Sequence, residues 1–315
     1  GSAGVETWGR AVSMRFAPIL HVLVALLLAP LLPGIINRTK ALFGGRRGAP
    51  LLQTYHDLAK LLRKGGTYSR TTTWVFRAGP IVSLASVTVA LLIVPLGGVG
   101  GLLSFPGDLL LFAYLLGLMR FMTVLAALDT GSAFEGMGAS REVQFSMLVE
   151  PALLLGLGAL AASSHSLSLT GMYANPLSAG SDPFPALMLL AASMLVVLLA
   201  ENARIPVDDP NTHLELTMIH EVMVLDHGGV DLAFVHYASA LKFWVLGALL
   251  LGVAVPVRSG VPWVDLGLGT AGLVVLAVVV GVIESVMARL RLVRVPELLV
   301  TASILALLSV VWVLR

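Results

Sequence analysis

The sequence predicts an all-α integral membrane protein, with about eight transmembrane helices and amphipathic helices on its cytoplasmic side. Three observations carry this. Of 315 residues, 57% are apolar and only 12% charged, about half the charged share of a soluble domain. The apolar residues gather into eight runs long enough to cross hydrocarbon. The basic residues between the runs fall mostly on alternate loops, the bias that orients multi-spanning proteins.

In chain order the expected spans are 16–36, 74–96, 108–128, 143–162, 184–200, 231–256, 264–286 and 297–314. Residues 1–13 read as a leader or extension with Met14 as the expected start, and 14–315 as a single polytopic membrane domain. Eight spans put loops 37–73, 129–142, 201–230 and 287–296 on one side. Those loops hold thirteen Lys and Arg residues, against four on the opposite side. The rule places them in the cytoplasm and both termini outside, in the cell's inner (plasma) membrane. Arg77, Arg120 and Lys242 remain inside or at the rim of spans.

The sequence has no Cys. That excludes thiolate-held iron–sulfur clusters, Cys zinc sites and disulfides in this chain.

In the first cytoplasmic loop, Leu51, Leu52, Tyr55, Leu58, Ala59 and Leu62 recur at helical spacing. Gln53, Asp57, Lys60 and Lys64 form the polar face. Such a helix lies in the membrane interface or against the protein's own mouth; a surface helix with a solvated stripe fits equally. The second loop, 129–142, is rich in Gly and small residues, which let backbone pack closely or bend, and it carries Asp129, Glu135, Arg141 and Glu142. It lacks the spacing of a nucleotide-binding loop. Glu150 follows inside the fourth span, where a carboxylate needs a partner, water or a proton.

The third loop is the densest in charge. Residues 200–229 hold Glu201, Arg204, Asp208, Asp209, Glu215, Glu221 and Asp226, with His213, His220 and His227. Charge at the edge of hydrocarbon is expensive and by default functional; the alternative is a solvated connection. Pro206 and Pro210 should end the helix leaving the fifth span. Asp209 should cap a new one that puts His213, Thr217 and His220 on one face. A metal is not expected: His220–Glu221 begins like a zinc-protease motif, but Val224 stands where the second His belongs. Glu284 closes the set, with Arg289 as its expected partner.

These motifs resemble the membrane subunit shared by respiratory complex I (its subunit 1) and group 4 membrane-bound [NiFe] hydrogenases. The stretch GGRRGAPLLQTYHDLAKLLRKG is similar to the family's first cytoplasmic loop, with Arg47, Gly48, Gln53, Asp57, Lys60 and Lys64 on its motif. The Arg141–Glu150 spacing matches, as do Glu201, Arg204, Pro206, Asp208, Pro210 and Glu215 on its acidic loop. Asn211 and His213 stand where the complex I branch carries further acids. LDTGSAFEGMGASRE, IPVDDPNTHLELTMIHEVMVLDHGG and SVMARLRLVR resemble the hydrogenase branch, formate hydrogenlyase subunit 4 and, more closely, hydrogenase-4 component C.

The resemblance implies a non-catalytic membrane component of an oxidoreductase. It would dock [NiFe] hydrogenase large and small subunits and pass energy to antiporter-like membrane subunits. The nickel–iron centre and iron–sulfur clusters would lie in those partners, with no cofactor here and no nucleic acid bound. Glu150, Glu201, Asp208, Asp209, Glu215, Glu221 and Glu284 become the expected proton relay, with Arg141, Arg204 and Arg289 as charge partners. Arg47, Gln53, Asp57, Lys60, Lys64, Asp129, Glu135, Glu142, His213 and His220 would line the cavity or dock the arm. A quinone-site subunit of a complex I-like dehydrogenase and a stand-alone secondary transporter are the alternatives; the sequence shows one interrupted region and no repeat, whereas transporters often pair such breaks across two halves.

Overall fold

Hydrocarbon offers a bare backbone no hydrogen-bond partner, so each crossing must satisfy its own amides as a helix. The computed structural model describes residues 16–174, 184–208, 218–256 and 258–315, and its regular structure is helical throughout those segments. Seven helices are long and apolar enough to cross alone: α4 (Trp74–Ile93), α5 (Asp108–Asp129), α6 (Ala133–Ser164), α8 (Phe184–Glu201), α10 (Gly229–Ala254), α11 (Pro262–Val286) and the Leu292–Val313 segment ending in α12 (Val295–Val313). The eighth crossing is a pair, α1 (Phe16–Leu28) and α2 (Leu31–Phe43), bent by 48°. Pro30 and Pro33 bear on that bend, since proline cannot donate into a helical ladder. The first span therefore reaches seven residues past the expected boundary at 36, as a broken helix. The remaining helices, α3 (Gln53–Leu62), α7 (Leu169–Ala174) and α9 (His220–Met223), are short.

The loops sort onto two faces. On one, the Asp129 carboxylate accepts from Thr73 N at 2.6 Å and Phe76 N at 3.3 Å, capping α4 from the end of α5. Leu290 N donates to Pro206 O at 3.0 Å, and Gly229 packs against the Lys64 carbonyl. This is the face of the basic loops. On the other, buried Asp108 accepts from Leu169 N at 2.6 Å and Ser168 Oγ at 2.8 Å, and Arg258 donates to Ala174 O. The alternation expected from eight crossings is thus present, with the loops of each face tied to one another.

Two helical expectations need correction. The second basic-face loop is short, because α6 begins at Ala133 and carries Glu135, Arg141 and Glu142 before it enters the apolar layer. Its glycines serve close packing: a Cβ on Gly138 would run into Val222 Cγ1 and lie 2.9 Å from Ile219 O. The expected helix through 213–220 does not run continuously either. Met218 and Ile219 are non-helical, and α9 starts at His220. The first part of that expectation, with Asp209, Pro210, Asn211, His213, Glu215 and Thr217, lies outside the described residues. Upstream, α8 ends at Glu201, short of Pro206.

Helix α3 lies across the basic face. Its Tyr55 hydroxyl donates to Leu27 O at 2.5 Å, tying it to the α1–α2 bend. Leu51, Leu52 and Leu62 point outward, while Thr54, Asp57, Leu58 and Leu61 turn inward and line a cleft.

Candidate functional site

The cleft has a volume of about 430 Å³. Pro33 and Asn37 of α2, the inner side of α3, Asn202–Arg204 after α8, His220 and Glu221 of α9, and His236 and Ser239 of α10 form its walls. Gln53 Nε2 donates to Asp57 at 3.0 Å and fixes that carboxylate, with Lys60 beside it. Enclosure by protein lowers the His220 imidazole to about 3, with the Lys242 and His236 charges acting the same way and Glu201 opposing. His220 is therefore a neutral donor and acceptor near pH 7.

Beneath the cleft runs a row of acidic and basic side chains from four helices. Arg120 of α5 is its hub. Its guanidinium donates to Glu150 of α6 and Glu201 of α8, and its Nε lies 3.5 Å from Glu142 of α6. Lys242 of α10 approaches Glu201 at 3.6 Å. Arg120 is nine residues from the end of α5 at Asp129, about 13 Å along the axis at helical rise. Lys242 stands midway along α10. Three carboxylates thus face two basic side chains. The planar guanidinium fork suits this position, since it can face several carboxylates at once.

Two further acids, with three ion pairs between them, hold the loops at the rim. Arg289 lies 2.9 Å from Asp208, whose second oxygen accepts from Ile219 N at 3.1 Å and His220 N at 3.2 Å. Glu284, its side chain fully buried, pairs with Lys40 at 2.8 Å and with Arg204 at 3.5 Å.

The expected site residues are thus partly brought together and partly re-paired. Glu150, Glu201 and Glu142 share one cation, but it is Arg120, not Arg141 or Arg204. Arg141 donates to Met218 O at 2.9 Å. Arg204 serves Glu284, and Arg289 serves Asp208 instead of Glu284. The reason is geometric: α6 carries Arg141 and Glu150 on one rigid rod nine residues apart, too far for a mutual contact. Glu135 is buried on α6 and accepts from Asp226 N at 3.1 Å. Arg47, Lys60 and Lys64 are exposed.

Arg120 as hub, Lys242, Lys40, Asn202 and His236 were absent from the expected site. One signal could have found Arg120: it is the single charged residue in the apolar run 109–128, and such a residue marks function by default.

Comparison with known proteins agrees with this architecture. The sequence pattern described as NADH dehydrogenase matches residues 17–314. Formate hydrogenlyase subunit 4 of Escherichia coli (strain K12) is 32% identical over 291 residues, covering 87% of this chain and 91% of that protein. Hydrogenase-4 component C of the same organism is 32% identical over 239 residues, covering 76% and 74%. The two share one identity level, which favours neither over the other. A chain of the membrane-bound sulfane sulfur reductase, described as an archaeal respiratory membrane complex, superposes with a TM-score of 0.81. The match covers 95% of this chain and 99% of that one at 20% identity, a likeness of fold. The chain therefore belongs to the NADH dehydrogenase family, as a multi-pass membrane protein related to subunits of hydrogenase and formate hydrogenlyase complexes.

Proposed function

We propose that this protein couples electron transfer in a docked soluble arm to proton movement in the membrane. The observation that carries the reading is Arg120 holding carboxylates from α6 and α8 within the apolar layer. A structural ion pair needs one acid; three acids sharing one guanidinium make a set whose protons and charge can be redistributed. The row comes near the cleft at Glu201, next to the cleft-lining Asn202, and ends at Glu150, whose side chain is 51% exposed. Asp208 ties the segment after α8 to both α9 and Arg289, so a displacement at the basic face would be felt at Glu201.

The positive-inside bias supports a cytoplasmic basic face with both termini outside. The arm would dock there, over the exposed Arg47, Lys60 and Lys64. Its chemistry follows the hydrogenase relatives: large and small [NiFe] hydrogenase subunits carrying the nickel–iron centre and iron–sulfur clusters, beside antiporter-like membrane subunits. Such centres are built on thiolates, and this chain has none; its residues do not fit them, and no step here runs through a metal.

The test uses the intact complex. Glu201→Gln and Glu150→Gln are expected to assemble and to cut proton translocation at least about tenfold, a loss of general acid–base scale. Unchanged hydrogen turnover and unchanged translocation in both variants would end the relay reading. Pull-down from native membranes should recover soluble partners with nickel and iron; recovery of this chain alone, still moving an ion in liposomes, would favour a transporter. A quinone site is the second reading, because the cleft volume falls in the range of small-molecule pockets, about 300–1,000 Å³. Photolabelling of 51–64 or 201–221 by a quinone analogue would favour it.

A further inference from the structure

Between the cleft and the charged row lies a void of about 20 Å³, lined by Ser83, Thr123, Glu201, Asn202, His220 and Lys242 among others. One water needs about 10–15 Å³ and two to four polar partners. The void has room for one, and its walls offer a carboxylate, an ammonium, an imidazole and hydroxyls.

Asn202 borders both spaces, the cleft and the void. It is 7% exposed. Its Nδ2 donates to Leu198 O at 2.8 Å, which fixes the amide, since a flip would set oxygen against oxygen. Its Oδ1 is then buried and accepts no hydrogen bond from the described residues. A buried acceptor left so is costly, and a bound water is the ordinary remedy. Of the neighbouring donors, Lys242 is drawn to Glu201 and the Ser83 hydroxyl to Met119 O.

We propose that Asn202 seats a single water in this void and that this water carries protons between the cleft and Glu201. The water takes a proton from the cleft side and gives one of its own to the Glu201 carboxylate; its composition is unchanged and no other reactant is needed. The step rests on the proton-coupling reading above. Asn202 is a positioning residue in it: its amide does not titrate, and it acts by holding the water in line.

The experiment takes the intact complex with Asn202→Leu, Asn202→Ser and, separately, Glu201→Gln. Leu keeps the volume and removes the acceptor; Ser keeps an oxygen and leaves more room. Asn202→Leu should lower translocation at least about tenfold and raise the solvent deuterium isotope effect, with Asn202→Ser recovering most of the rate. High-resolution cryo-electron microscopy of the unmodified complex should show one density within hydrogen-bond distance of Asn202 Oδ1. Absence of that density overturns the seat, even if Asn202→Leu fails to assemble. Wild-type translocation in Asn202→Leu, with Glu201→Gln impaired, overturns this inference and leaves the relay standing. Wild-type translocation in both overturns the relay and this inference together.

Discussion

Arg120→Met isolates what the hub contributes. The row sets three carboxylates against two basic side chains; removing the guanidinium strips Glu142 and Glu150 of their shared cation, leaving Lys242, 3.6 Å from Glu201, as the row's remaining one. Breaking a buried pair by deleting one partner costs about 3–5 kcal/mol. The half-exposed Glu150 contributes least, because this chain encloses only about half of its side chain. The expected loss is therefore near the low end, about 3 kcal/mol, and comes chiefly from Glu142, because Glu201 keeps Lys242. Unfolding in mixed micelles of rising SDS content, followed by tryptophan fluorescence, reads it out. The diagnostic step is the second substitution: adding Glu142→Gln to Arg120→Met should return part of the loss, because Glu142 is left without its cation whereas Glu201 keeps Lys242. Strict additivity of the two substitutions, or an Arg120→Met protein as stable as the parent, would refute the hub.

Three other outcomes follow from local geometry. Asp129→Ala removes the cap that accepts from Thr73 N and Phe76 N, and should cost about 1–2 kcal/mol in the same unfolding assay; no change would mean that α4 is capped from elsewhere. Gly138→Ala should destabilise by about 1–3 kcal/mol through its collision with Val222 and Ile219, whereas Gly136→Ala, with open space around it on the same helix, should be neutral or stabilising by up to about 1 kcal/mol. Equal effects at the two glycines would remove the packing argument. His220 is lowered from 6.5 to about 3 in the fold. Below pH 6.5 the unfolded imidazole takes a proton that the folded one refuses, so stability falls with pH from there down towards 3. His220→Gln should flatten that slope, and a slope identical to wild type would show that other groups set it.

The crossings were legible because hydrocarbon imposes a coarse rule, about twenty apolar residues, that a run such as 264–286 obeys without reference to its neighbours. The interfacial helix at Gln53–Leu62 was legible for a similar reason: period and polarity agree within ten residues. The extension of α6 back to Ala133 was not, because its glycines look like a loop until Val222 and Ile219 are seen against Gly138. The acids were found by their mere presence near hydrocarbon. Their partners were not, since pairing depends on which faces of α5, α6, α8 and α10 meet, and no spacing within one helix reports that. Arg141 looked like the partner of Glu150 because they share a segment, yet a shared rigid rod is what keeps them apart.

The 48° bend in the first crossing divides more than a helix. Before it, α1 is fastened to α10: Trp244 Nε1 donates to His21 Nε2 at 3.3 Å, and the Tyr237 hydroxyl to Leu26 O at 2.7 Å. After it, α2 is fastened to α11, where Gly281 admits Thr39 and Ile36 and where Lys40 meets Glu284. The bend thus lets one crossing serve two neighbours, and the cleft opens beside it, with Pro33 and Asn37 on one lip and His236 and Ser239 on the other. Tyr55 of α3 holds the covering helix to the end of α1. The width of the cleft is then set by where the bend puts α2 relative to α10, a distance that a pair of spin labels on those helices would measure.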